Sequence, residues 1–128
     1  MAVSILLVDD DQAYRSAPLA DTLRAAGHDP VHEAGTMAGA LSAAARVLPD
    51  VALVDIGLPD GDGFQLSCEL GQLAEAPRVV LISADADAAD DATARRVGAV
   101  GFLAKEQLQD ARLRRLLDPR DPASASDS

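Results

Sequence analysis

Five short apolar runs constrain this chain more than any other feature: SILLV (4–8), PVHEA (30–34), VALV (51–54), RVVLIS (78–83) and VGFLA (100–104). Between them lie stretches with helical spacing, marked by Leu19 and Leu23, by Met37, Leu41, Ala44 and Leu48, by Leu66, Leu70 and Leu73, and near the end by Leu113, Leu116 and Leu117. A strand followed by a helix, repeated five times, is the pattern of an α/β chain whose parallel sheet is covered on both faces. The first, third and fourth runs are nearly all apolar, as strands buried on both faces must be. The second carries Pro30, His32 and Glu33 and the fifth carries Gly101, so these two belong at the edges. Right-handed crossovers then give a doubly wound five-stranded parallel sheet of order 2-1-3-4-5, with a ligand crevice at the carboxyl ends of strands 1 and 3. Thr36 is expected to cap the second helix, Gly27 and Gly98 to stop the first and fourth, and Pro18 to kink or shorten the first. The fourth helical stretch, ADADAADDATARRVGA, has no large apolar stripe and should grip the sheet weakly.

At 128 residues the chain reads as one domain over 1–118, with a polar tail or linker start at 119–128. A net charge of -10 argues against direct nucleic-acid binding, and no apolar run reaches membrane-spanning length. The first residues have no basic flank before their apolar run, so a signal peptide is not expected. Cys68 is the one cysteine, which excludes an intramolecular disulfide and fits a cytoplasmic location.

The third run leads straight into an acid, in VALVDIGLPDGDGF (51–64). A carboxylate at the end of a buried strand is costly unless something pairs with it. The first run ends in VDDD, so Asp9 and Asp10 should emerge where Asp55 does. Three converging carboxylates repel one another, and a hard dication with oxygen ligands relieves this; Mg²⁺ suits a few carboxylates, waters and a phosphate. Ser83 and Lys105 end the fourth and fifth strands at the same face, adding a hydroxyl and a mobile ammonium. Together these groups make a phosphoryl-accepting site with Asp55 as nucleophile.

The motifs VDDD, LVDIGLPDGDG, LISAD and GFLAK, each at the end of its predicted strand, resemble the receiver domain of bacterial two-component response regulators, over roughly residues 3–117. The resemblance implies the flavodoxin-like (βα)5 fold and a signalling module, not an enzyme beyond self-catalysed phosphotransfer and autodephosphorylation. It implies that Asp55 takes a phosphoryl group from a sensor histidine kinase or phosphotransfer protein. It further implies that Asp10 and Asp55 bind Mg²⁺ directly, that the Gly57 carbonyl is a third protein ligand, and that Asp9 acts largely through water. Lys105 would contact Asp55 at rest and the phosphoryl group afterwards, while Ser83 moves to a phosphoryl oxygen and Phe102 packs inward behind it. The output would be altered binding to a downstream protein or effector domain, or homodimerisation, through the fourth helix, fifth strand and fifth helix. Two alternatives are a receiver-like scaffold that is never phosphorylated and a Mg²⁺-dependent phosphatase with an aspartate nucleophile. The phosphatase needs an acid where this chain has Gly57.

Many receivers follow the lysine with a proline in a cis bond; Glu106 stands there, so a trans bond and a different loop path are expected. Asp11 reads as the cap of the first helix, and Asp60 and Asp62 as turn residues shaping the start of the third. A calcium loop around DGDGF fails because Leu58 stands where its first aspartate must be. Asp85, Asp87, Asp90 and Asp91 suit a helix N-terminus. His28 and His32 are expected to face solvent, Cys68 to be a small buried group, and Arg112, Arg114 and Arg115 to form a solvated helix face.

Overall fold

Strands written as unbroken apolar runs must find apolar partners on both faces, and the fold supplies them. The computed structural model describes residues 3–9, 18–25, 27, 28, 30–107, 113, 115 and 116. Five strands, β1 (Ile5–Val8), β2 (Val31–Ala34), β3 (Val51–Asp55), β4 (Arg78–Ser83) and β5 (Gly101–Ala104), pair in parallel. Their spatial order is β2, β1, β3, β4, β5, the order the apolar content of the runs requires. Along each strand alternate residues enter different cores. Ile5, Leu7, Val51, Leu53, Val80 and Ile82 pack with Ala20 and Leu23 of helix α1 (Pro18–Ala25) and with Leu113 and Leu116. Leu6, Val8, Ala52, Val54, Val79 and Leu81 pack on the other face against helices α2 (Met37–Val47), α3 (Gly63–Leu70) and α4 (Asp91–Arg96). No helix among the described residues is long and apolar enough to cross a membrane.

The helix ends follow their local chemistry. Thr36 caps α2, accepting a hydrogen bond from the Gly39 N–H at 3.0 Å. Gly27 (φ +97°) and Gly98 (φ +86°) end α1 and α4 in left-handed conformations. At each, the next residue's N–H reaches back five positions, His28 to the Leu23 carbonyl and Ala99 to the Ala94 carbonyl, which closes the helix. Pro18 is the first described residue of α1, so the kink or shortening expected there falls on residues outside the described ones.

Several expectations need correction. The alanine-rich fourth stretch is helical only over Asp91–Arg96, and Ala94 alone on it is buried, because the preceding acids form turns instead. The Asp85 N–H donates to Ser83 Oγ and the Asp87 N–H to Asp85 Oδ1. A two-stranded antiparallel ribbon, Gly57–Leu58 against Gly61–Asp62, stands between β3 and α3 where only a turn was expected. Cys68 is exposed, because the inward face of α3 is taken by Gly63, Leu66, Ser67 and Leu70; the Ser67 hydroxyl is satisfied by donating to the Val97 carbonyl at 2.8 Å. The expected cap Asp11, the tail at 119–128, and Arg112, Arg114 and Leu117 of the fifth helical stretch lie outside the described residues.

His28 is the other correction, since it is buried rather than solvent-facing. The turn after Gly27 carries its ring under the start of β1, where the Val3 N–H donates to Nδ1 at 3.3 Å. That bond needs a neutral ring, and burial holds the imidazole below its usual 6.5. The unfolded chain therefore takes up this proton first: the contribution is fully present above about pH 6.5 and is lost as pH falls below that value. Thermal melts should show the wild type losing stability from about pH 7.5 to about pH 5.5, and His28→Gln, which keeps an acceptor but cannot titrate, showing a flatter profile. Parallel profiles would contradict the assignment.

Candidate functional site

The register of the central strands decides which acids meet. Ile5 lies opposite Val51 and Val8 opposite Val54, so one further step sets Asp9 beside Asp55 at the carboxyl end of the sheet. Val8 and Val54 both point into the α2–α3 core, and the two acids follow them out of it. On the other side of β3, Asp55 lies opposite Ile82 and Ser83 lies opposite Ala104, which brings the residue after β5, Lys105, to the same rim.

Lys105 closes the arrangement. Its Nζ lies 2.7 Å from Asp9 Oδ2 and 3.0 Å from Asp55 Oδ2, so one ammonium bridges both carboxylates. All three side chains are buried, Asp9 completely. Burial alone would lower the Lys105 ammonium, but hydrogen bonds to Asp9 and Asp55 and the charge of both outweigh it and hold the group above the ordinary lysine value. The site lysine thus stays cationic throughout the neutral range. Glu106 does not displace it: residues Lys105–Gln107 form a short 3-10 turn that leaves Nζ on the carboxylates.

The second Asp55 oxygen is held from another direction, by the Gly57 N–H donating to Oδ1 at 3.1 Å. Gly57 was singled out for its carbonyl; its amide, which makes a local bond to the carboxylate two residues earlier, was not foreseen. Behind Asp55 the start of α3 presses against the chain. A Cβ on Gly63 would come within 2.6 Å of the Asp55 carbonyl oxygen and 2.8 Å of Ile56 Cα, so only glycine lets the helix start there. The Gly63 N–H donates to the Ile56 carbonyl at 2.7 Å and locks that approach.

Ser83 ends β4 half-buried, with its Oγ accepting from the Asp85 N–H at 3.0 Å. Accepting leaves the hydroxyl proton to be directed elsewhere. Phe102 is buried in the core shared by α2, α3 and α4, so it already packs inward; its N–H donates to Asp91 Oδ1 at 3.0 Å. Asp91 therefore does more than suit a helix start, since it fastens α4 to the edge strand β5. Asp90 is the cap of α4, accepting from the Thr93 N–H at 2.7 Å, and these bonds hold its carboxyl below the usual range. Asp62 caps α3 as expected, but Asp60 caps α2 instead, accepting from the Met37 and Ala38 N–H groups. Its partners lie more than twenty positions earlier in the chain, and only the folded ribbon brings them together.

Asp10 lies outside the described residues, and among the described residues no three His, Cys, Asp or Glu side chains gather as a metal cluster. The donor set that is described still suits a hard dication. Two carboxylates converge on one point that a cation, the Lys105 ammonium, already occupies.

Comparison with known proteins gives this geometry a context. Residues 5–118 match the family model of the response regulator receiver domain. The chain is 37% identical over 132 residues to the KDP operon transcriptional regulatory protein KdpE of Escherichia coli, covering 97% of this chain and 55% of that one. The chain spans about half the length of the curated relatives it matches. Among solved structures it is similar to the signal receiver domain of NarL from Mycobacterium tuberculosis, with a TM-score of 0.76 and 32% identity, covering 90% of this chain and 96% of that one. It is also similar to a Burkholderia pseudomallei response regulator protein that carries a phosphorylated aspartic acid, a calcium ion and citrate. That match has a TM-score of 0.78 and 26% identity, covering 96% of this chain and 69% of that one.

Gly63→Ala should push the strand end that carries Asp55 and lower stability by about 1–3 kcal/mol, the usual range for overpacking a filled site. Urea unfolding measures this, and a variant as stable as the wild type would show that the helix start is not seated against Asp55.

Proposed function

Because the chain belongs to the response regulator receiver domain family, we propose that Asp55 accepts a phosphoryl group from the phosphohistidine of a sensor histidine kinase or phosphotransfer protein. The observation that carries this reading is the Lys105 ammonium shared between Asp9 and Asp55. It holds the Asp55 side chain in place beside Asp9, which positions a carboxylate nucleophile before the donor arrives.

In the transfer, an Asp55 oxygen forms the bond to phosphorus while the phosphorus–nitrogen bond of the donor breaks and its electron pair returns to the imidazole. Oδ1 is held by the Gly57 amide and Oδ2 by Lys105, so the carboxylate is oriented before the donor arrives. Asp9, Asp10, Asp55 and the Gly57 carbonyl are the groups that would hold Mg²⁺, which when bound supplies positive charge to the phosphoryl oxygens. The phosphorylated aspartic acid and calcium ion of the Burkholderia relative support the same pairing of acyl phosphate and hard dication here. Lys105 follows the new charge from the carboxylate to the phosphoryl group. Ser83 donates its hydroxyl proton to a phosphoryl oxygen, which draws the β4–α4 loop toward the site.

That loop leads to α4, held by one buried alanine and by the Asp91 bond to β5. An element so lightly packed is the part of the fold that moves at least cost. The surface altered is that of α4, β5 and the fifth helical stretch, where a downstream protein, an effector domain or a second receiver would bind. The domain itself acts as phosphoacceptor and signalling module, with at most self-catalysed phosphotransfer and autodephosphorylation.

Incubation with a small-molecule phosphodonor and Mg²⁺ should add a single phosphoryl group to the intact protein, seen by mass spectrometry, and none to Asp55→Asn or to wild type in excess chelator. Equal phosphorylation of Asp55→Asn would remove Asp55 from the role.

A further inference from the structure

The ribbon after β3 joins the phosphoacceptor to a helix that has no other part in the site. Its two short strands pair Gly57 with Asp62 and Leu58 with Gly61, and strands of this length do not hold themselves. Both ends of the ribbon are fastened instead. At the base, the Gly57 N–H donates to Asp55 Oδ1 at 3.1 Å, and the Gly63 N–H donates to the Ile56 carbonyl at 2.7 Å. At the tip, Asp60 Oδ1 accepts from the Met37 N–H at 2.7 Å and Oδ2 accepts from the Ala38 N–H at 3.1 Å.

The tip contact is not needed to start α2, because Thr36 already caps that helix from its own strand-to-helix junction. It supplies what the helix lacks, since α2 has no acid in its own first turn and the positive end of its dipole attracts an anion. The two amide bonds hold the Asp60 carboxyl below the usual carboxylate range, so it is the charged form that is gripped. Next to it, Gly61 packs so closely on Met37 Sδ that any side chain there would have to displace the methionine.

We propose that Asp60 is a positioning residue for the phosphoacceptor: by fastening the ribbon tip to the N-terminus of α2, it holds the Gly57 amide on Asp55 Oδ1. This rests on the reading of Asp55 as phosphoacceptor. Freed at its tip, the ribbon frays back to its base, Gly57 leaves Asp55, and the carboxylate loses a group that orients it. The phosphoacceptor and the start of α2 are thereby coupled, so a partner that binds the N-terminal turn of α2 alters the reactivity of Asp55.

The test compares wild type, Asp60→Ala, Asp60→Asn and Thr36→Ala by two readouts: exchange of the Gly57 amide proton, followed by NMR without phosphodonor, and the rate of phosphorylation by a small-molecule phosphodonor with Mg²⁺. Asp60→Ala should speed Gly57 exchange about tenfold and slow phosphorylation by a similar factor. Asp60→Asn, which keeps one carbonyl acceptor, should fall between it and the wild type. Thr36→Ala also loses a helix cap and should melt at a lower temperature, yet leave Gly57 exchange at the wild-type rate. Unchanged Gly57 exchange in Asp60→Ala, or equal acceleration in Thr36→Ala, would overturn the proposal and leave Asp60 as a helix cap. Since Gly57 exchange is read without phosphodonor, it stands or fails on its own; a wild type that takes up no phosphoryl group overturns the reading of Asp55 instead.

Discussion

One ammonium between two buried carboxylates is the constraint around which the carboxyl end of this sheet is built. Each Lys105 contact, at about 3 Å, is worth on the order of 5 kcal/mol at the effective dielectric that suits protein charges. Removing each of the three groups from water costs several kcal/mol, so the formed cluster sits near balance. Near balance is the useful condition. A cluster that gained heavily from its lysine would resist rearrangement, whereas this one can exchange the ammonium's position for new charge at small net cost. Removing the lysine outright is a different matter, because two buried anions are then left facing each other.

The sheet makes that closeness unavoidable. Parallel pairing in register sets the ends of β1 and β3 level, and the first polar residue after each apolar run is an aspartate. Two apolar cores hold the strands from either face, so the acids cannot separate without breaking the alternation that buries Leu6, Val8, Ala52 and Val54. Around this fixed rim the supports are lighter. Gly57 reaches Asp55 through a ribbon of minimal length, Ser83 is engaged with its own loop, and α4 rests on Ala94 and on the bond from Phe102 to Asp91. A rigid rim with lightly held neighbours is what allows a change of charge at one carboxylate to be felt at the surface.

Much of this was legible in the residues, for identifiable reasons. The strand order followed from apolar content, because burial on both faces leaves no room for His32, Glu33 or Gly101 at the centre. The caps at Thr36 and Asp62 and the stops at Gly27 and Gly98 are local chemistry, settled within a few residues. Asp9, Asp55 and Lys105 could be grouped because each ends a strand, and strand ends share a rim. What escaped was decided by distant partners. Asp60 reaches α2 and Asp91 reaches β5 across the fold, while His28 is buried because a left-handed turn folds it beneath β1. Cys68 illustrates a narrower limit: helical spacing alone did not say whether it or Ser67 faced inward, and Ser67 could be accommodated because Val97 offers a carbonyl.

The most direct test of the central interaction is a double-mutant cycle in urea unfolding between Lys105→Met and Asp55→Asn. Lys105→Met alone should cost about 3–5 kcal/mol, as breaking one side of a buried charged group does. In the Asp55→Asn background, where one anion is already gone, the same change should cost less by at least about 1 kcal/mol, a coupling typical of groups in contact. Strictly additive costs would mean that the lysine does not hold the two carboxylates together, and the account of the site built on that contact would fail.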